Sequence, residues 1–321
     1  MNVLITGITG MVGSHLAEYI LKNHPDVRVH GLIRWRSPLD NIRTINAHIT
    51  LHQGDLRDLN SLIEVLRAAK PDRIFHLAAQ SYVTVSFRAP VDTLHTNVIG
   101  TTNLLDAVRL SGLSPLIHIC SSSKVYGQVR EDEVPIKETN PLRPASPYAV
   151  SKVGEDMIAL QYFLSYGMKI LRTRMFTHTG PRRGDVFAES AFAKQVAEIE
   201  AGVRQNPMKV GNLQSVRTIA DVRDAARAYW LLLEKCQPGD VYNIGGSETM
   251  TIGDVLRRLK GMARCKIEHE VDPALLRPSD VTLQIPDTSK FKAATGWAPE
   301  IPVETTLRDL LDYHRGRVGK S

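Results

Sequence analysis

The sequence predicts an α/β protein, a doubly wound parallel sheet with a smaller C-terminal lobe. Two observations carry that expectation. Short apolar runs alternate with longer amphipathic stretches through the first half of the 321 residues, which is the pattern of consecutive βαβ units. A glycine-rich turn joins the first apolar run to the first amphipathic stretch. The composition, 43% hydrophobic and 23% charged, is that of a globular chain with enough residues for about two domains.

Taken in order, strands are expected at residues 3–6, 27–33, 48–52, 73–77 and 116–121. The first helix follows the glycine turn and carries Leu16, Ala17 and Ile20 on one face. Asp58 reads as the N-cap of a helix with Leu62, Val65 and Leu66 at helical spacing. Pro71-Asp72 and Ser114-Pro115 mark helix exits, and broad apolar faces predict helices around residues 90–110 and 147–163. Beyond about residue 175 the alternation loosens, with a strand at 241–244 among helices at 221–233, 252–262 and 303–314. Residues 1–175 are therefore expected to form a dinucleotide-binding domain, and 176–321 mainly a substrate-binding lobe that returns some chain to the first domain. No internal repeat, low-complexity segment or clear linker interrupts the sequence.

Several function classes are disfavoured. No apolar run approaches the ~20 residues of a membrane span, and Met1-Asn2-Val3-Leu4-Ile5 enters a strand without a basic region or cleavage site, so a cytoplasmic protein without membrane partners is expected. Cys120, Cys236 and Cys265 are odd in number and show no CxxC spacing, which predicts three free thiols and no metal site. His48 and His52 have no further ligand nearby in sequence. The net charge of +6, from 40 basic and 34 acidic residues, is spread along the chain without a basic-aromatic stripe. That distribution fits an anionic small molecule better than nucleic acid.

Gly7-Ile8-Thr9-Gly10-Met11-Val12-Gly13 lies where a dinucleotide pyrophosphate meets a helix N-terminus. About 20 residues further on, where NAD-preferring proteins carry an acid for the ribose hydroxyls, the chain has Arg34-Trp35-Arg36. Two guanidiniums suit a 2′-phosphate, so the expected cofactor is NADP(H). Asp55, at the end of the next strand, is placed to hold the adenine edge.

Tyr148 and Lys152 stand four residues apart, hence on one face of a helix. A neighbouring ammonium is expected to pull the phenol pKa down from about 10 toward the working range of an acid/base group. Ser121-Ser122-Ser123 closes the strand at 116–121, and ligands of such sheets bind at the carboxyl ends of strands.

These features, together with Gly54-Asp55-Leu56-Arg57-Asp58, residues 76–81, Asn97-Val98-Ile99-Gly100-Thr101 and Arg277-Pro278-Ser279-Asp280, resemble the extended short-chain dehydrogenases/reductases, and within them the nucleotide-sugar-modifying members with a Rossmann domain. The resemblance covers essentially the whole chain. It implies that Ser122 holds the substrate hydroxyl or ketone, Tyr148 exchanges its proton, and Lys152 bonds the nicotinamide ribose. It further implies that Gly7, Gly10, Met11, Val12, Gly13, Leu56, Leu77, Ala78, Ala79 and Gln80 line the cofactor, with Asn97 supporting the backbone beside them.

Residues 174–184 and 210–217, and the segment from Ile33 to Pro38, are similar to the GDP-mannose 4,6-dehydratases and GDP-6-deoxy-4-keto-mannose reductases. By that likeness Arg217 and Arg277 pair with the diphosphate or its ribose, and Ser123, Thr177 and His178 contact the substrate. The chain departs from the pattern at Thr177 and Thr218, where the family has Asn and an acid, so the base is less well specified than the fold. The dehydratases carry a glutamate where this chain has Lys124, between Ser123 and Val125. Loss of that base favours chemistry needing only a hydride and a proton. Reduction of a GDP-4-keto-6-deoxy-D-mannose to GDP-D-rhamnose is the favoured expectation. A nucleotide-sugar 4-epimerase, a dehydratase with an altered base and a non-catalytic dinucleotide sensor are the alternatives. Tyr126 reads equally as a packing or a site residue. The apolar faces at 90–110 and 147–163 imply a homodimer, which residues 34–42 would extend to a tetramer in the manner of related dehydratases.

Overall fold

A computed structural model describes residues 1–276 and 281–319. In chain order the first part comprises β1 (Asn2–Thr6), α1 (Met11–Asn23), β2 (Arg28–Ile33), β3 (Thr50–Gln53), α2 (Leu59–Ala69), β4 (Arg73–His76), α3 (Val83–Arg88), α4 (Pro90–Leu94), α5 (Gly100–Leu110), β5 (Leu116–Ser122), α6 (Pro147–Tyr166) and β6 (Ile170–Met175). The remainder comprises β7 (His178–Thr179), α7 (Ala188–Glu200), β8 (Met208–Val210), β9 (Val216–Thr218), β10 (Ala220–Asp221), α8 (Val222–Lys235), β11 (Val241–Ile244), β12 (Thr249–Thr251), α9 (Ile252–Gly261), β13 (His269–Val271), β14 (Leu283–Gln284), α10 (Ser289–Thr295) and α11 (Val303–Arg315).

Seven strands form one parallel sheet in the order β3-β2-β1-β4-β5-β6-β11. The order reverses between β1 and β4, which opens a crevice at their carboxyl ends. Register is set by apolar rows such as Ile5 beside Phe75 and Ile74 beside Ile117. Both faces of the sheet are covered, as its continuous apolar strands require. Leu16, Ala17 and Ile20 of α1 pack with Ala225, Tyr229 and Leu232 of α8 on one face. Leu62, Leu66, Leu104, Val108 and Ala159, from α2, α5 and α6, cover the other. Each fully buried Leu or Ile in these layers contributes about 1.5–3 kcal/mol.

A second core gathers Phe192, Val196, Leu256, Leu259, Leu307 and Leu311 from α7, α9 and α11. The chain does not stay in this lobe, because Tyr242 and Ile244 of β11 and Phe291 of α10 pack in the sheet's own core. No helix among the described residues is long and apolar enough to cross a membrane.

Asp58 caps α2, accepting from Asn60 N at 3.1 Å. Two local readings shift. His48 ends a short 3-10 turn and the strand starts at Thr50. The single helix expected over 90–110 is broken by a π-helical turn at His95–Ile99 between α4 and α5. That wider turn carries Asn97 inward, where its amide is fully engaged as described below.

Candidate active site

The turn after β1 requires glycine at two points. Gly7 has φ +73°, and a Cβ there would meet Ala78 N at 2.8 Å; a Cβ on Gly13 would lie 2.3 Å from Gly7 O. The chain thus passes close over the end of β4. Gly10 caps α1 without a side chain, and the first turn of α1 contains no acid. Its free amides and positive helix end face outward, an arrangement suited to an anion such as a pyrophosphate. Met11 and Val12 begin the helix behind it. Thr6 Oγ1 accepts from Leu77 N and Ala78 N, each at 3.1 Å, tying the Leu77–Ala79 loop to β1. These glycines and loops therefore fit the expected dinucleotide.

Arg34 and Arg36 are exposed just beyond β2, with the Arg36 guanidinium 4.4 Å from the centre of the Trp35 ring. Neither joins an ion pair among the described residues. Asp55 follows β3, but its carboxylate is committed to Arg57, accepting from Arg57 N at 2.9 Å and from the guanidinium at 3.2 Å. Partial burial raises the Asp55 pKa, and Arg57 together with Arg34 more than offsets this, holding the group below the usual carboxylate range. Leu56 is buried and its carbonyl accepts from Asn103 Nδ2 at 2.8 Å.

Ser146 caps α6, accepting from Ala149 N at 3.1 Å, with Pro147 in the first turn. That start places Tyr148 and Lys152 against the carboxyl end of β5, where Ser122 Oγ accepts from Lys124 N at 3.2 Å. Lys152 Nζ lies 6.0 Å from the centre of the Tyr148 ring and donates to Cys120 O at 3.0 Å and Glu155 Oε2 at 2.8 Å. The three residues expected to act together are thus brought together. The electrostatics correct one expectation, since burial raises the Tyr148 pKa above its ordinary value although Lys152 and Ser122 pull it down. The phenol sits in a dry site, where the desolvation of a phenolate outweighs one ammonium. Burial lowers the Lys152 pKa, but Glu155, Tyr148 and Cys120 together outweigh it and leave the ammonium more basic than usual.

Asn97 proves to be occupied. Its Oδ1 accepts from Gln80 N at 2.8 Å, and its Nδ2 donates to Gln80 O at 3.0 Å and to Ser151 Oγ at 2.8 Å. Ser151 donates in turn to Tyr148 O at 2.7 Å, so Asn97 links the Gln80 loop to the helix that bears the phenol.

Of the residues expected to meet a substrate, Ser123 is buried in a 3-10 turn that also contains Lys124, and Thr177 precedes β7. His178 Nδ1 shares a hydrogen bond with Phe176 O at 3.0 Å, and burial and Arg183 push its pKa down to about 4. Arg217 on β9 is buried and donates to Val281 O at 3.1 Å. Arg277 lies outside the described residues. Tyr126 is a packing residue, fully buried with its hydroxyl donating to Asn243 Oδ1 at 2.7 Å and accepting from Arg174.

Two residues escaped the sequence reading. The Arg183 guanidinium stacks 3.4 Å from the centre of the Phe187 ring, its Nε lacks a hydrogen-bond partner among the described residues, and it acts electrostatically on Tyr148. A dry cation in that position suits an anionic ligand. Nothing in the local sequence separates it from Arg182. Glu155 was signalled only by its place three residues beyond Lys152 on one helical face.

A glycine-cradled helix end on a doubly wound sheet, facing a phenol and an ammonium one turn apart, defines an extended short-chain dehydrogenase/reductase. Comparison with known proteins narrows the class. The family model for GDP-mannose 4,6 dehydratase matches residues 4–310, and the chain belongs to that family of nucleotide-sugar-modifying enzymes. It is 34% identical to a GDP-mannose 4,6-dehydratase of Yersinia enterocolitica over 97% of this chain and 92% of that one. It is 33% identical to the GDP-6-deoxy-D-mannose reductase of Pseudomonas aeruginosa over 99% and 98% of the two chains. The solved structure of RMD from Pseudomonas aeruginosa complexed with NADPH superposes with a TM-score of 0.86 at 32% identity, covering 98% of this chain and 99% of that one.

Proposed function

We propose that the protein reduces the C4 ketone of GDP-4-keto-6-deoxy-D-mannose to GDP-D-rhamnose with NADPH. The observation that carries this reading is Lys124, which stands two residues past Ser122 where the dehydratases of the family place their glutamate base. An ammonium cannot take the C5 proton that dehydration requires unless its pKa of about 10.4 falls far. The end-to-end match to a reductase of nearly the same length supports the same choice.

Gly7, Gly10 and Gly13 would hold the pyrophosphate over α1, Arg34 and Arg36 the 2′-phosphate, and Leu56, Leu77, Ala78, Ala79 and Gln80 the remaining faces of NADPH. When bound, this cofactor supplies the hydride received at C4. Ser122 donates a hydrogen bond to the ketone oxygen, and Tyr148 delivers the proton that the oxygen needs as it becomes a hydroxyl. The raised phenol pKa suits that direction, because the proton is in place at neutral pH. Lys152 holds the nicotinamide ribose and steadies the phenolate that remains. Ser123, Thr177 and His178 line the sugar, with Arg217 and Arg277 assigned to the diphosphate or its ribose. The enzyme works as a homodimer, covering the exposed Val91 and Leu94 of α4 and Val150, Met157 and Leu164 of α6.

The test mixes purified protein, NADPH and freshly generated GDP-4-keto-6-deoxy-mannose, follows the reduced-nicotinamide absorbance and identifies the sugar by NMR. Stoichiometric loss of NADPH with GDP-D-rhamnose formed establishes the reductase. Turnover of intact nucleotide hexoses without NADPH loss would replace it with an epimerase or an altered-base dehydratase.

A further inference from the structure

Glu155 stands one turn beyond Lys152 on α6 and is 1% exposed. Its Oε2 accepts from Lys152 Nζ at 2.8 Å, while Oε1 has no hydrogen-bond partner among the described residues. A carboxylate in so dry a place persists as an anion only beside a cation. The cation here is the lysine whose Nζ lies 6.0 Å from the centre of the Tyr148 ring. Phenol, ammonium and carboxylate form one buried cluster.

Other titratable and charged groups face this cluster, among them Arg183 and the phenol of Tyr229 on α8, both of which act on Tyr148. On the same helix, Asp156 is bound by Arg172 and Arg174 of β6, each at 2.7 Å. From β5, Cys120 contributes its carbonyl to Lys152 and its thiol contacts Tyr229 of α8 at 3.2 Å. Beneath them His76 of β4 and His118 of β5 are kept neutral by burial, with pKa values of about 3. Glu155 pairs directly with Lys152 and so balances its charge.

We propose that Glu155 is a positioning residue for the proton-transfer pair: its carboxylate makes Tyr148 and Lys152 hold both their protons to a higher pH, and so keeps the site loaded for ketone reduction. Removing an anion lowers the proton affinity of every group that feels it, so the phenol and the ammonium respond in the same direction and titrate as a coupled pair. Consistent with this, Glu155 raises the pKa of both Lys152 and Tyr148. Burial raises the Glu155 pKa to about 7, although Lys152 opposes the shift, so the balance weakens on acidification. The overall equilibrium of the reaction is untouched. What changes is the fraction of enzyme whose proton donor is protonated and ready.

This role rests on the reading of Tyr148 as the proton donor, and its test separates the two. Substrate-free protein is titrated with base while tyrosinate absorbance is recorded against a Tyr148→Phe blank, and the ε-carbon NMR shift of labelled lysine against a Lys152→Met blank. In Glu155→Gln the titration of the pair should move down by about 1–3 pH units, the range for a charge at this distance. The alkaline limb of kcat for ketone reduction should move with it, and Glu155→Asp should recover most of the shift. If Glu155→Gln does not fold, Glu155→Asp carries the test through a smaller displacement of the same sign. Titrations that stay at their wild-type positions overturn the role of Glu155 and leave the donor reading intact. Wild-type turnover by Tyr148→Phe would instead remove the donor reading, with the Lys152 titration still reporting on Glu155.

Discussion

Asp156→Ala should be among the most destabilising single substitutions in the protein, and the site should feel it. Asp156 is fully buried on α6 and accepts from Arg172 at 2.7 Å through Oδ1 and from Arg174 at 2.7 Å through Oδ2. The guanidiniums have other hydrogen bonds, from Arg172 to Gly239 O at 2.8 Å and from Arg174 to Glu138 O at 2.8 Å. Both pair with the one carboxylate of Asp156. Deleting it strands two cations in the interior, and breaking a buried pair in this way costs about 3–5 kcal/mol. With an unfolding entropy of about 2.1 cal/mol/K for each of the 321 residues, that loss lowers Tm by roughly 4–7 °C. Circular dichroism melts at low and high salt provide the assay. The loss should survive 1 M salt because buried charges are poorly screened. The triple variant Asp156→Leu/Arg172→Met/Arg174→Leu should recover much of it, since no charge is left alone. Because α6 also carries Tyr148 and Lys152, the folded fraction of Asp156→Ala should show a reduced kcat. A loss below about 1 kcal/mol, the level of an exposed ion pair, would refute the reasoning.

Tyr148→Phe should abolish most ketone reduction while leaving the NADPH dissociation constant near its wild-type value, as measured by quenching of protein fluorescence; comparable turnover would end its assignment as proton donor. Arg34→Ala should weaken NADPH by about tenfold or more, the loss of one charge-assisted hydrogen bond at an exposed position, and should leave NADH nearly unaffected. Equal losses for the two cofactors would undo the 2′-phosphate assignment. Leu164→Glu, which places a charge in a residue that is 71% exposed and aligned at seven-residue intervals with Met157 and Val150, should give monomers by analytical ultracentrifugation. Finally, His76, His118 and His178 are held neutral in the fold, with pKa values of about 3, 3 and 4, burial being the largest cause in each case. Below pH 6.5 the unfolded chain takes up protons that the folded one refuses, so stability present above that pH should fall by up to about 1.4 kcal/mol per unit and per histidine as the pH drops toward 4. A urea midpoint that is flat between pH 6.5 and 5 would contradict this.

The parts of the site legible in the sequence are those fixed by local geometry. Gly7 and Gly13 announce a turn in which a Cβ would strike backbone, and that constraint holds wherever the turn sits in the fold. Tyr148 and Lys152 are adjacent because a helix makes them so. Asp58 is readable as a cap for the same reason. Asn97 was singled out only through the family resemblance, as a support for the backbone, and the wider turn that carries it was not legible, because apolar periodicity does not record a turn with one extra residue. Arg183 carries no local mark at all, since its stacking on Phe187 and its electrostatic reach to Tyr148 arise only when the chain folds back.

The sign of the Tyr148 shift shows why charge chemistry is harder to read than geometry. Spacing alone reveals the ammonium, and with it the pull toward a phenolate. It does not reveal how completely the site is dried by β5, α6 and the loops above them, and drying acts in the opposite direction. Here burial prevails, aided by Glu155, whose carboxylate cancels part of the Lys152 charge that would otherwise favour the phenolate. The proposed ketone reduction is better served by this balance than by a depressed phenol pKa, because the donor then remains protonated across the neutral range. The same balance would hinder an enzyme that had to begin by removing a proton from a sugar alcohol, so the electrostatics of α6 and the lysine at position 124 favour the same direction of chemistry.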